Sequence, residues 1–331
     1  MWEWVGNKPQ RCLKIGVDAA AWVETEWNWR GRTQYRCVVS QLPDGLVKPS
    51  PVDPNLSDVV TLQGHIRALA GLEFEARRKG QSLLSGLPQR ITLMLPDAAA
   101  RAAVLHLDQL PASRDEREAL IRWRLGQEQL FPLAGAKIVS RVFYAVPEEE
   151  YRAHTVLAVA IQESVLQQYE ALCESVGLIP HDVGITSLRL FDLWRRASGG
   201  QQRRKTDFLW VTIADRALTT MVFQQGRLLF YRCKPLGGNV VEAGAKADSS
   251  DKIIEECGAS LDLCQQRHPT AVIKRAILCV DGEPAGLKTR LEAGLGLSVE
   301  QMGWGTLDKL CSAAKGNHSS MASLVAMAGV S

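Results

Sequence analysis

The 331-residue sequence has no C-x-x-C pair, no phosphate-binding P-loop, no glycine-rich dinucleotide fingerprint and no Ser/His/Asp signature. Those gaps set aside the common zinc ribbons, P-loop NTPases, dinucleotide enzymes and triad hydrolases. Neither sign of charge dominates: 39 Lys and Arg are scattered against 36 Asp and Glu, for a net charge of +3. A nucleic-acid binder is expected to carry a basic face or stripe, so no nucleic-acid partner is expected. No apolar run reaches bilayer length, and the most apolar stretches, Thr155–Ile161 and Met321–Val330, are far too short. Met1-Trp2-Glu3-Trp4 lacks the basic-then-apolar order of a secretory signal. The expectation is a cytoplasmic chain with no direct membrane insertion.

Eight cysteines are present, at 12, 37, 173, 233, 257, 264, 279 and 311. Most sit in apolar runs and read as reduced, buried thiols that pack as small hydrophobes. Cys257, Cys264 and His268 share a helical face, but a structural zinc site needs four ligands, so core packing is expected there and no metal. His106, His154 and His181 have no motif context.

Hydrophobic residues make up 46% and charged residues 23% of the chain, ordinary globular proportions at a length that favours two lobes. An internal similarity supports this. Leu13–Asp18 is a short apolar strand ending in an acid. Ala21–Trp27, the turn at Arg30-Gly31 and Gln34–Ser40 come after it. Phe208–Asp215 is again an apolar strand ending in an acid, followed by Leu218–Gln224, the turn at Gln225-Gly226 and Arg227–Cys233. Two such meanders at corresponding places point to duplicated halves.

Between them, Arg90–Leu95 reads as a strand closed by Pro96. Ser113 and Glu116 have capping-box spacing at the start of a helix running to about Gln129. Lys137–Val146 is a strand, and 90–151 reads as a small α/β insertion. Thr155–Ile161 reads as a strand covered on both faces. Gln162–Val176 is a helix stopped by Gly177, and Ile185–Arg196 is another. The polar run at 199–205 is a connector. In the second half, helices are expected over Lys252–Arg267, Leu287–Leu295 and Met321–Val330, with strands at Ala276–Val280 and Ser298–Met302. The division expected is 11–198, the connector 199–205, and 206–331.

This order of elements resembles the actin-like fold, a duplicated ribonuclease H-like α/β architecture. More narrowly, it is similar to the PilM-type assembly proteins of type IV pilus and type II secretion machinery. Leu13-Lys14-Ile15-Gly16-Val17-Asp18 resembles the family's first phosphate strand. Leu95-Pro96 through Phe131-Pro132 resembles its inserted subdomain. Leu209–Asp215, the Gly226 turn, then Arg232 and Gly237-Gly238 resemble the second phosphate strand and the segment after it. Cys279-Val280-Asp281-Gly282 and Gly286-Leu287 resemble the adenosine turn. The resemblance implies a nucleotide site formed from Asp18, Asp215, Thr219, Gly237, Gly238, Gly282 and Gly286, taking ATP with Mg²⁺. It also implies a role at the inner membrane through a partner, the cytosolic tail of a single-span pilus or secretion protein. Arg122, Trp123 and Arg124 are the contact residues expected from the hot-spot preferences of Trp and Arg.

The chain departs from that pattern in three places. Asp18 is followed by Ala19-Ala20-Ala21-Trp22 and Asp215 by Arg216-Ala217-Leu218, where small glycine or hydroxyl residues normally approach phosphate. Only 239–251 remain where the family carries a second-lobe subdomain. Asp281 and Glu283 bring two acids to the adenosine turn. The reading is therefore an adaptor with a degenerate site, in which Asp18 and Asp215 cap turns. An active Mg-ATPase and a self-associating structural subunit are the alternatives.

Overall fold

The computed structural model describes residues 9–27, 33–71, 88–128, 132–143, 154–197, 207–237, 247–280, 286–302, 314–316 and 320–330. The chain divides into two compact units, one of residues 1–96, 164–198 and 304–331, the other of 97–163 and 199–303.

The first unit is built on a six-stranded sheet. Its strands are β1 (Arg11–Ile15), β2 (Ala19–Trp27), β3 (Thr33–Gln41), β4 (Gln89–Leu95), β8 (Leu178–Ile185) and β14 (Ala314–Gly316), in the order β14-β3-β2-β1-β4-β8. β1, β2 and β3 form an antiparallel meander, while β4 and β8 continue the sheet in parallel with β1. Helix α1 (Val59–Ala70) buries Leu62, Ile66 and Leu69 at helical spacing. The Asp58 side chain caps its start by accepting from Thr61 N–H, and Gly71, in the left-handed region, ends it. Helix α3 (Glu163–Glu174) buries Val165, Leu166, Tyr169, Leu172 and Cys173, and Gly177 follows it at φ 81°. The loop over 43–58 is pinned to α3: Asn55, buried, donates from Nδ2 to Tyr169 Oη at 3.1 Å, and its backbone N–H donates to Gln168 Oε1 at 2.8 Å. Helix α4 is Thr186–Ala197.

The unit is completed by α7 (Met321–Val330), whose residues 321–329 are all buried. It packs against β1, β2, β3, β4 and α4. The closing helix, expected in the second half, therefore belongs with the first sheet, as does β14, a strand not expected from the sequence, which pairs in parallel with β3. An apolar helix with no polar face must be enclosed, and this sheet supplies the enclosure.

The second unit contains a five-stranded sheet of β9 (Phe208–Ala214), β10 (Ala217–Gln224), β11 (Arg227–Pro235), β12 (Arg275–Val280) and β13 (Ser298–Gln301), ordered β11-β10-β9-β12-β13. Again an antiparallel meander is extended by parallel strands. Apart from β14, the two sheets have the same order and the same strand directions, so the duplication read from the two meanders extends to whole sheets. β9 and β10 are buried along almost their full lengths, as internal strands covered on both faces. Helix α5 (Ala247–Arg267) and helix α6 (Leu287–Leu295) pack on this sheet around Leu209, Val211, Cys257, Cys264, Leu278 and Leu291. Cys257 and Cys264 are thus core residues, and no group of three metal-ligating side chains converges among the described residues.

The same unit holds the insertion, a three-stranded antiparallel sheet ordered β5-β7-β6, from β5 (Arg101–Leu107), β6 (Ala136–Phe143) and β7 (His154–Gln162). Helix α2 (Arg114–Gln127) covers one face through Ile121 and Leu125 against Leu105, Val156 and Ala158. The insertion expected from residue 90 starts only after β4, because β4 is hydrogen-bonded into the first sheet between β1 and β8. Ser113 stands at the N-cap of α2 but makes no side-chain capping bond, so the expected capping box is not formed.

One hairpin gives a direct test of local chemistry. Gln225 (φ 50°) and Gly226 (φ 81°) form the two-residue turn between Gln224 and Arg227. Two positive φ values in a two-residue hairpin favour Asn-Gly over Gln-Gly, because Asn tolerates the left-handed region. The Gln225 backbone N–H, which donates to Asp207 Oδ1 at 2.7 Å, survives the change. Gln225→Asn is expected to raise the melting temperature by about 1–3 °C, the equivalent of about 0.5–1 kcal/mol. A variant melting at or below the parent temperature contradicts this reading.

Candidate nucleotide turns and docking helix

The residues expected to hold a nucleotide fall in both units. In the first unit, Asp18 ends the turn that joins β1 to β2. The Gly16 N–H donates to Ala19 O at 3.0 Å, and the Asp18 carbonyl accepts from Leu42 N–H at 2.9 Å. The backbone of this turn is thus partly committed to its own closure and to the end of β3. Lys14, on β1, is 2% exposed. The alternation of β1 signals it, since a lysine here shares a strand face with buried Cys12.

In the second unit, Asp215 and Arg216 are the two residues of the β9–β10 hairpin, at φ 52° and 55°, with Ala214 paired to Ala217. Both positions lie in the left-handed region, the signature of a type I′ turn. Asp tolerates it; for Arg it costs about 1–2 kcal/mol. The Arg216 carbonyl accepts from Leu236 N–H at 2.7 Å, which brings the end of β11 onto the turn. The carboxylate read as a strand terminus is therefore a turn residue.

Thr219 is buried, and its hydroxyl donates to Asp97 Oδ2 at 2.9 Å. Its hydroxyl proton is thus spent on an internal carboxylate, itself only 4% exposed. Asp97 opens a short 3₁₀ turn (Asp97–Ala99) directly after Pro96 and was not marked by any motif; the one trace of it in sequence is a strand-ending acid after Leu95-Pro96. Cys233, paired with Thr219 across the β10–β11 ladder, has its thiol pushed up to about 12 by burial and by the negative charge of Asp97. Its thiol is therefore held in the protonated form near neutral pH.

Gly237 follows β11 with no atom within 4 Å of a Cβ placed there, and Gly286 (φ 79°) opens α6 with equally open space. Gly238 and Gly282 lie outside the described residues, as do the 199–205 connector and Cys311.

Beside Gly237, β11 and α5 are joined by a polar network that sequence reasoning missed. Glu256 Oε2 accepts from Arg232 Nη2 at 3.0 Å, and Glu256 Oε1 accepts from Lys234 Nζ. Arg232 Nη1 also donates to Ser260 Oγ at 3.2 Å, and Thr220 Oγ1 to Ser260 Oγ at 3.0 Å. The hydrogen bond from Lys234 holds the Glu256 carboxyl below the usual range against the opposing effect of burial, with Arg232 adding to it. Arg232 and Lys234 alternate on one strand face, which is the trace that marks them in sequence.

The three residues expected to contact a partner lie on α2 but play different parts. Trp123 is 58% exposed, so it is no core residue of the insertion. Arg124 holds its guanidinium carbon 5.9 Å from the Trp123 ring centroid. Arg122 donates to the carbonyls of Leu133 and Ala136 at 3.0 and 3.1 Å and so fastens the loop leading into β6.

No family model and no curated protein matches the sequence. Solved structures do match. A chain of the PilM–PilN type IV pilus biogenesis complex superposes with a TM-score of 0.71 over 98% of this chain and 100% of that chain, at 16% identity. The cytoplasmic domain of EpsL, an inner membrane component of the type II secretion system of Vibrio cholerae, aligns over 93% of this chain and 96% of its own at 9% identity and TM-score 0.44. A Bacteroides thetaiotaomicron protein with an actin-like ATPase fold covers 91% of this chain and 94% of its own at 12% identity and TM-score 0.43. The fold is therefore the two-lobed actin-like one, shared with the chain of the pilus complex.

Proposed function

We propose that this chain is an adaptor of a type IV pilus or related envelope assembly platform, which holds the cytosolic tail of a single-span inner-membrane protein. The observation that carries the reading is the fold shared over 98% of the chain with a component of the PilM–PilN complex. Among the described residues, no helix is long and apolar enough to cross a membrane, which agrees with attachment through a partner. Trp123 fits the docking role because it is a large aromatic ring displayed on a rigid helix beside Arg124, and Trp and Arg are among the residues most enriched at interface hot spots.

The nucleotide turns support an adaptor over an ATPase. A phosphate cradle needs several backbone N–H groups converging on one anion, with small side chains around them. Here Asp215-Arg216 is a two-residue hairpin turn without glycine, and the Thr219 hydroxyl is given to Asp97. On the resemblance, Asp18 of the first unit and Asp215 of the second are each assigned to Mg²⁺ through water, and in the second unit Gly237 and Gly286 leave space beside the backbone. Mg²⁺, when bound, would supply positive charge to offset that of the phosphates.

Two measurements test this reading. Trp123→Ala is expected to lower affinity for the partner's tail about tenfold or more while moving the melting temperature by no more than about 2 °C, since truncation of an exposed side chain changes stability by about 0.5 kcal/mol or less. A loss of cooperative melting, or unchanged affinity, removes Trp123 from the interface. Saturating Mg-ATP is expected to leave the melting temperature unchanged. A rise of several degrees, the equivalent of about 2.7 kcal/mol at a hundredfold excess over Kd, would favour the ATPase reading.

A further inference from the structure

His106 and His268 meet edge to face with ring centroids 4.7 Å apart. They come from different parts of the second unit. His106 lies on β5 of the insertion sheet, and His268 directly follows α5 of the five-stranded sheet's layer, where its N–H donates to Cys264 O at 2.8 Å. The His106 ring is hydrogen-bonded to the backbone of Leu229 on β11. His268 Nε2 is buried with no hydrogen-bond partner among the described residues. Further bonds from insertion to sheet layer include the Thr219–Asp97 hydrogen bond and an Arg267–Glu128 ion pair at 3.7 Å.

We infer that the His106–His268 pair is a proton-sensitive clasp, which fastens the insertion to the second sheet while both rings are neutral and releases it when they are protonated. Two imidazolium rings at 4.7 Å repel each other, and partial burial weakens the hydration that would offset that repulsion. The neighbouring charges add to that repulsion. Arg267, next to His268, is a cation that disfavours protonation of both rings. Its partner Glu128, at the end of α2, is 36% exposed and only partly offsets it. Arg227 opens β11, and His154, paired with Leu107, opens β7, so these packed elements add a cation and a further imidazole. Asp108, after β5, is the acid closest in sequence to His106 and is exposed.

Both rings are held below the ordinary histidine value, first by burial and then, for His268, by His106 and Arg267. The unfolded chain takes up these protons near pH 6.5, whereas the folded chain resists until lower pH, so stability is full above about pH 6.5 and is lost as pH falls below it.

The test compares hydrogen exchange of the full chain at pH 7.0 and pH 5.5, corrected for intrinsic rates. The expected result is a tenfold or greater increase in exchange over Arg101–Leu107 and Arg227–Pro235 at the lower pH, with β1 to β4 unchanged. The double variant His106→Gln, His268→Gln is expected to abolish that difference. Uniform exchange at both pH values, or an unchanged difference in the double variant, overturns the clasp. Proton NMR titration of the native chain decides the matter even where the double variant does not fold. Two ring resonances titrating below the ordinary histidine value of about 6.5 support the clasp, and titration at or above it refutes it.

Discussion

Gly329→Ala lowers the melting temperature by roughly 6–12 °C, the equivalent of about 3 kcal/mol at about 2–4 °C per kcal/mol. A methyl group at 329 falls 2.4 Å from Cys12 Sγ, 3.1 Å from Cys12 Cβ and 3.2 Å from Thr92 Cγ2. Cys12 Sγ and Thr92 Cγ2 end short side chains with one rotatable bond each, enclosed in the core, so they have little room to swing aside. Cys12 is fully buried on β1, and the Thr92 hydroxyl donates to Gly329 O at 3.1 Å. The strands cannot yield, because β1 is paired on both sides, with β2 and β4. The helix must therefore lift, and α7 has nowhere to go that keeps its apolar surface dry. The same geometry predicts its own rescue. Cys12→Ala alone leaves a small cavity and costs about 1 kcal/mol. Combined with Gly329→Ala it removes the closest clash, so the double variant should be more stable than Gly329→Ala alone, with a coupling of about 1–2 kcal/mol. Additive losses across the thermal-melt cycle would show that the close approach is not the cause.

Glu256→Gln is expected to cost about 2 kcal/mol and to remove an acid-sensitive part of the stability curve. The carboxylate sits among Arg232, Lys234, Ser260 and Thr220, and the residue is 8% exposed. Glutamine keeps the shape but leaves two cations facing each other. Removing one partner of a fully buried pair costs about 3–5 kcal/mol, and the smaller figure applies here because the Arg232 and Lys234 side chains are 28% and 42% exposed. The Glu256 carboxyl is held below its ordinary value, chiefly by the hydrogen bond from Lys234. Its contribution is therefore present above the unfolded carboxylate value of about pH 4.3 and is lost as pH falls through the folded value. Urea titrations of the parent at pH 7 and at about pH 3.5 should differ by more than those of the variant. Equal differences would mean that the network contributes nothing through charge.

Much of the fold was legible in local patterns. The two apolar strand, strand, strand runs at Leu13–Ser40 and Phe208–Cys233 are the two antiparallel meanders, and the helix expected over Leu287–Leu295 is formed, between two left-handed glycines. β5 left little trace, because Arg101-Ala102-Ala103 has weak strand preference. Its place comes from the ladder with β7. α1 was also missed: its apolar residues are spaced four and three apart among polar ones, and the preceding loop masks its start.

The site residues divide by the same logic. Asp18, Asp215 and the Gln225-Gly226 turn are set by neighbours in the chain, and sequence located them. Thr219 was read as a ligand residue because nothing local shows that a carboxylate 122 positions away takes its hydroxyl. Glu256 reaches Lys234 across 22 positions, and His106 reaches His268 from another sheet.

By itself, then, the sequence determined the duplicated meanders, the helices with one apolar stripe, the lack of any apolar run of bilayer length and the alanine and arginine, rather than glycine, after Asp18 and Asp215. These are properties of period, turn chemistry and composition, which act over a few residues. Only the tertiary structure decided where uniformly apolar or isolated polar pieces go. Met321–Val330 carries no polar face to say which sheet it covers, and it closes the first sheet because Gly329 lets it approach β1 and β4. Residues 97–163 pack with the second sheet because Asp97, Glu128 and His106 find Thr219, Arg267 and His268 there. A buried polar group must be paired wherever its partner lies in the chain, and that requirement is met in space, without regard to sequence distance.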